Sequence, residues 1–114
     1  MSEKIIVGLT TPVTLHGKNG KKQVIARIDT GATKSSIDEK LAAELGVGSE
    51  LRQVLIKSAH GSKHRGIVAL EMEIGGQLMK TECTLADRAH MKYKVLIGQN
   101  VLKRGFLIDP SKVD

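Results

Sequence analysis

Aromatic residues are almost missing from this chain of 114 residues, which holds one tyrosine, one phenylalanine and no tryptophan. Proteins that read single-stranded RNA on a sheet surface stack bases on exposed aromatic rings. Here Tyr93 and Phe106 both sit inside apolar runs, so a small basic RNA-binding β-barrel is disfavoured and nucleic acid is not the expected partner. Cysteine is nearly absent too: Cys83 stands alone, which excludes an intrachain disulfide and fits a reducing compartment. No apolar run reaches the ~18 residues of a membrane-spanning helix. Met1-Ser2-Glu3-Lys4 leads straight into a β-type run with no signal-peptide pattern, so the expected location is the cytoplasm, away from any membrane. Neither a His-Glu-x-x-His zinc motif nor a Gly-rich phosphate loop ending in Lys-Ser/Thr occurs, and His16, His60, His64 and His90 are scattered. The expectation is therefore no metal site and no cofactor.

What is present is charge of one sign and short β-type segments. Eighteen Lys and Arg against twelve Asp and Glu give a net charge of +6, spread along the chain rather than gathered in a tail. Such a surface favours an acidic partner, and it also serves solubility. The length suits one domain, residues 1–114, with a single core. Val68, Leu70, Met72 and Ile74 alternate with Ala69, Glu71 and Glu73, the pattern of a half-buried strand, and Gly75-Gly76 turns it back into Met79, Thr81, Cys83 and Leu85. Asn19-Gly20 marks an earlier hairpin. Ser36-Ile37-Asp38-Glu39 reads as a capping box for a short helix through Leu45, stopped by Gly46. Gln53–Ser58 and Arg65–Val68 flank a polar hairpin tip, with Gly61 at its turn.

The segment that carries chemistry is Val24-Ile25-Ala26-Arg27-Ile28-Asp29-Thr30-Gly31-Ala32-Thr33. A strand that stops at Asp29 delivers a carboxylate to the tip of a tight loop. Thr30 can hydrogen-bond across to a neighbouring backbone, and Gly31 permits close approach. This is a way to hold an acid rigidly where water is to be activated. A second apolar strand, Tyr93-Lys94-Val95-Leu96-Ile97, runs into Gly98 and a short amphipathic segment.

Together these two blocks resemble the retropepsins, the single-lobe aspartic proteases. The matching residues are Asp29-Thr30-Gly31-Ala32 and Leu96-Ile97-Gly98, with Asn100-Val101-Leu102 opening a helix. Within that class, Ala26–Ala32 with Leu85–Tyr93 is similar to the family known as ATP-dependent zinc proteases, often encoded beside RimK-type glutamate ligases. The resemblance implies an all-β fold: a closed, mostly antiparallel barrel of one lobe with one or two short helices. It also implies an aspartic endopeptidase. Only one Asp-Thr-Gly occurs here, so the second carboxylate must come from another subunit, most simply from a homodimer with two Asp29 on its axis.

The resemblance makes Asp29, Thr30 and Gly31 the catalytic loop. Ala32 and Thr33 line the substrate groove, Gly61 belongs to a flap closing over it, and His60, His64 and Arg88 stand where they could meet an acidic peptide. Arg27 and Lys92 add to that basic surface. Gln99 stands where the family commonly has an arginine that joins a dimer ion pair, which implies a weaker dimer. Two readings keep this fold: a peptidase acting on acidic or glutamate-rich peptides, and a peptide-binding or dimerisation module without catalysis.

Overall fold

The computed structural model describes residues 3–47, 51–58 and 61–113. Its strands are β1 (Ile5–Val7), β2 (Thr10–Gly17), β3 (Gly20–Ile28), β4 (Ser35–Asp38), β5 (Arg52–Ser58), β6 (Gly61–Ile74), β7 (Gln77–Ala86), β8 (Val95–Ile97) and β9 (Phe106–Ile108). Two short helices, α1 (Glu39–Leu45) and α2 (Gln99–Leu102), interrupt them. The main sheet runs β2-β3-β8-β4-β7-β6-β5, and a further pairing of β2 with β6 closes β2 to β6 into a six-stranded barrel. β5 remains outside the ring, paired to the outer half of the 14-residue β6. β1 and β9 form a separate parallel pair. No helix among the described residues is long and apolar enough to cross a membrane.

Alternation explains the core. Along β6, Val68, Leu70, Met72 and Ile74 are buried while Glu71 and Glu73 are exposed, and β7 buries Met79, Thr81 and Cys83 in the same way. These side chains meet Val13, Leu15, Ile37, Val95, Ile97 and Val101 in one cluster. Each fully buried aliphatic side chain contributes roughly 1.5–3 kcal/mol relative to exposure. Gly75 and Gly76, at φ 59° and 82°, make the tight turn from β6 into β7 that side chains would strain.

One expectation needs correction. Ser36 does not cap the first helix; it lies within β4, where its hydroxyl shares a 2.8 Å hydrogen bond with that of Thr84 on the parallel neighbour β7. Asp38 takes the capping role instead, its carboxylate accepting from the Leu41 backbone N–H at 3.3 Å. The helix ends as expected, with Gly46 in a left-handed cap.

Candidate active site

β3 and β8 run parallel, with Ile28 in register with Ile97. Two parallel neighbours leave the barrel at the same end, so Asp29 and Gly98 emerge side by side although 69 residues apart in sequence. That is the physical reason the two blocks belong together. The Asp29 N–H donates to the Ile97 carbonyl at 2.9 Å, the Gln99 N–H to Ala32 at 2.8 Å and the Asn100 N–H to Thr33 at 3.2 Å. Backbone therefore meets backbone with no room between. A Cβ on Gly98 would lie 2.3 Å from the Lys34 carbonyl oxygen and 2.8 Å from that of Ala32.

Buried Ser35 completes the brace. Its hydroxyl accepts from the Gly98 N–H at 3.0 Å and donates to the Asn100 side-chain oxygen at 2.7 Å. Asn100 in turn donates to the Glu82 carbonyl on β7 at 3.0 Å. Gln99, where an arginine was the family expectation, donates from Nε2 to the Thr30 carbonyl at 2.7 Å. It holds the aspartate loop of its own chain.

Within this frame Asp29 is half-buried, and its Oδ1 accepts the Gly31 N–H at 2.9 Å. Thr30 and Gly31 are exposed at the loop tip. A Cβ on Gly31 would stand 3.3 Å from Oδ1, a tight contact, so glycine here gives the carboxylate space. Asp38 shares these surroundings, since both carboxylates lie near Arg88. Both its oxygens are occupied by backbone, one by the Leu41 N–H and the other by the Arg88 N–H at 2.8 Å. Asp38 is thus built into the scaffold and is not available as a second acid.

Arg88 is half-buried, and its Nε donates to the Tyr93 carbonyl at 2.9 Å. Burial and the like charge of Arg27 pull its guanidinium below the ordinary value, while Asp38 and Asp29 pull the other way, so these four groups share one neighbourhood. Lys94 closes the same loop by donating to the carbonyls of Arg88, at 3.1 Å, and of Ala89. Lys92 lies 5.4 Å from the Tyr93 ring centre. The loop is pinned by Arg88 as much as charged by it.

A groove of about 300 Å³ opens beside the aspartate loop, lined by Gly31, Ala32, Thr33 and Lys34, by Ser36, Thr84 and Ala86, and by Ile56 and Arg65 of the β5–β6 hairpin. Ala32 and Thr33 therefore stand in the groove, while Gly61 lies at the outer end of the hairpin with φ 113°. His60 lies outside the described residues. His64 is exposed and, by strand alternation, faces away from Arg65. Sequence reasoning passed over Lys34 and Arg65, the two cations that reach this groove. Cys83 is buried, and burial pushes its thiol up to about 12, which argues against a thiolate nucleophile. Among the described residues, no cluster of three or more His, Cys, Asp or Glu forms a metal-binding group.

A closed barrel with an aspartate loop braced against an apolar-apolar-glycine strand defines the retropepsin fold. Solved structures agree. A Legionella pneumophila protein of unknown function superposes with a TM-score of 0.67 at 18% identity, covering 96% of this chain and 95% of its own. The EIAV protease, in complex with an inhibitor, gives 0.66 at 21% identity, covering 82% and 84%. Residues 42–113 match the model of the RimB-like family, described as retropepsin-like aspartic endopeptidase RimB, and the chain belongs to that family. A Shewanella pealeana protein named as a probable alpha-L-glutamate ligase is 30% identical over 118 residues, covering 82% of this chain and 26% of the relative. The chain thus spans about a quarter of the length of the curated relative it matches.

Proposed function

We propose that residues 1–114 form one retropepsin-like domain that pairs with a second copy to make an aspartic endopeptidase. The supporting observation is Asp29: a half-exposed carboxylate, fixed by the Gly31 N–H, on a loop locked to Gly98 and Gln99, with Asp38 already consumed by the scaffold. Two such carboxylates about 3 Å apart cannot both ionise and share one proton. The ionised Asp29 takes a proton from a water, which attacks the scissile carbonyl carbon. The protonated Asp29 of the other copy donates to the carbonyl oxygen. Collapse of the tetrahedral intermediate returns that proton to the dyad, and the leaving nitrogen takes the other.

The substrate is an acidic, glutamate-rich peptide. The net charge of +6 favours it, as does the similarity of this chain to about a quarter of a relative named as a probable alpha-L-glutamate ligase. The lone buried thiol of Cys83 fits work in the cytoplasm. The test is cleavage of a glutamate-rich peptide by the wild-type chain and by Asp29→Asn. Loss of about a thousandfold or more in kcat is expected, as for other enzymes stripped of a catalytic group. Full activity in the variant overturns the proposal. A second reading keeps the fold as a peptide-binding or dimerisation module without turnover; in that case both proteins bind the peptide and neither cleaves it.

A further inference from the structure

Resting on the peptide-binding reading of this groove, we infer that Arg65 and Lys34 form a subsite for one carboxylate side chain of the bound peptide, with Arg65 its principal determinant. The two cations reach the groove from opposite walls. Lys34 extends the aspartate loop, five residues beyond Asp29, and Arg65 comes from the hairpin strand β6. Arg65 pairs across the hairpin with Val54 and lies on the same strand face as Ile67, opposite the face that Val68 turns to the core, and on that face it lines the groove. Between them the groove is lined by Ser36 and Thr84, whose hydroxyls bond to each other, and by the apolar surfaces of Ile56 and Ala86. A groove of about 300 Å³ lies at the small end of ligand clefts, which run from about 300 to 1,000 Å³. It suits a side chain rather than a folded partner.

The charge in the groove lacks a counterion of its own. Among the described residues, neither Arg65 nor Lys34 makes an ion pair; the carboxylate ion pairs there are His16–Glu73 and Arg52–Glu82. Lys34 does lie close enough to Glu82 to favour its ionised form. Glu82 therefore already draws on Lys34, whereas among the described residues no carboxylate forms an ion pair with Arg65. A guanidinium can also meet a carboxylate with two parallel hydrogen bonds, which an ammonium cannot. Both facts rank Arg65 above Lys34. Arg88, by contrast, spends its Nε on Tyr93 and its position on bracing the loop.

The experiment measures binding, so that it stands apart from turnover. A fluorescein-labelled hexaglutamate peptide and the same peptide with glutamines at alternate positions are titrated into the full chain carrying Asp29→Asn. The glutamate peptide should bind about tenfold more tightly, the scale of one charge-assisted contact. Adding Arg65→Gln should cut that preference to below about threefold, Lys34→Gln should cut it less, and Arg65→Lys should keep part of it. Lys22→Gln, an exposed cation on β3 outside the groove, should leave it unchanged. A preference that survives Arg65→Gln, falls equally with Lys22→Gln, or is absent from the parent protein overturns the subsite. Charge preference behaving as expected while the wild-type chain cleaves no glutamate-rich peptide would overturn the peptidase proposal and leave the subsite standing.

Discussion

Around Asp29 the chain is held by backbone: Ile28 to Leu9, Asp29 to Ile97, Gln99 to Ala32, Asn100 to Thr33. The strands behind that loop bury Ile37, Val95 and Ile97 completely. The hairpin on the other side of the groove is built differently. None of Arg52–Lys57 is buried, Val54 and Ile56 are half-covered, and Gly61–His64 are exposed. β5 bonds to β6 alone, and its tie to the barrel is the surface pair of Arg52 with Glu82 on β7. A segment with few buried apolar contacts opens at low free-energy cost, whereas one pinned through the core opens only with the whole fold. The two walls of one groove thus differ in stability, the aspartate wall rigid and the hairpin wall easily displaced. On the proposed function, a rigid wall would keep reacting groups in register, and a displaceable one would admit an extended peptide.

The largest break of this contrast is Gly98→Ala. The added methyl would collide with the Lys34 and Ala32 carbonyls, both backbone, so nothing flexible can move aside. Overpacking of this kind costs about 1–3 kcal/mol, and here the displaced atoms are those that carry Asp29. We expect a clear drop in thermal midpoint together with loss of hydrogen-exchange protection at Asp29, Gln99 and Asn100. Normal stability and protection in Gly98→Ala would mean the aspartate wall is not set by this contact.

A smaller effect is expected from Gln99→Leu. The Nε2 bond to the Thr30 carbonyl lies at the surface, and a typical hydrogen bond is worth about 0.5–1.5 kcal/mol net. Water can replace it, so the thermal midpoint should barely move. The loop tip is then held by backbone alone, and kcat should fall several-fold with KM little changed, since small misplacements at a reacting group are costly. An unchanged kcat would show that the backbone contacts suffice.

How far the sequence foretold these walls differs in the same sense. The aspartate wall was legible because its two motifs are short, local and rich in constraint: a strand ending at Asp29, and a strand ending at Gly98. Alternation along Val68–Ile74 likewise announced β6. Strand β4 was hidden, because Ser36 reads as a helix cap until Thr84 is brought beside it. The groove charges were hidden for another reason. Strand faces flip with every residue, and only the fold of the hairpin beside the aspartate loop decides that the face of β6 opposite Val68, with Arg65 and not His64, turns toward the groove. Lys34 lay next to the motif and was overlooked because nothing in a single exposed lysine says what it faces.

The smallest expected effect concerns the tie that docks the hairpin. Arg52 donates to both carboxylate oxygens of Glu82, at 3.2 and 2.6 Å, and the side-chain hydrogen bond to Arg52 holds the Glu82 carboxyl below its ordinary value. A carboxyl lowered in the folded state stabilises the fold above its unfolded pKa, near 4.5, and loses that contribution as pH falls through the lower folded value. Both side chains are about half-exposed, so salt screens the pair and its contribution is small. Glu82→Gln should therefore lower the thermal midpoint slightly at pH 7, and the gap to wild type should close as pH falls from 4.5 through the lower folded value. It should also narrow at high salt. Exchange at the Val54 and Ile56 amides should quicken in the variant while that at Ile97 stays unchanged, because the tie holds the hairpin and not the core. A gap that does not narrow as pH falls below 4.5, or a rise in exchange that spreads to Ile97, would mean that hairpin and barrel open together and that the two walls are not separable.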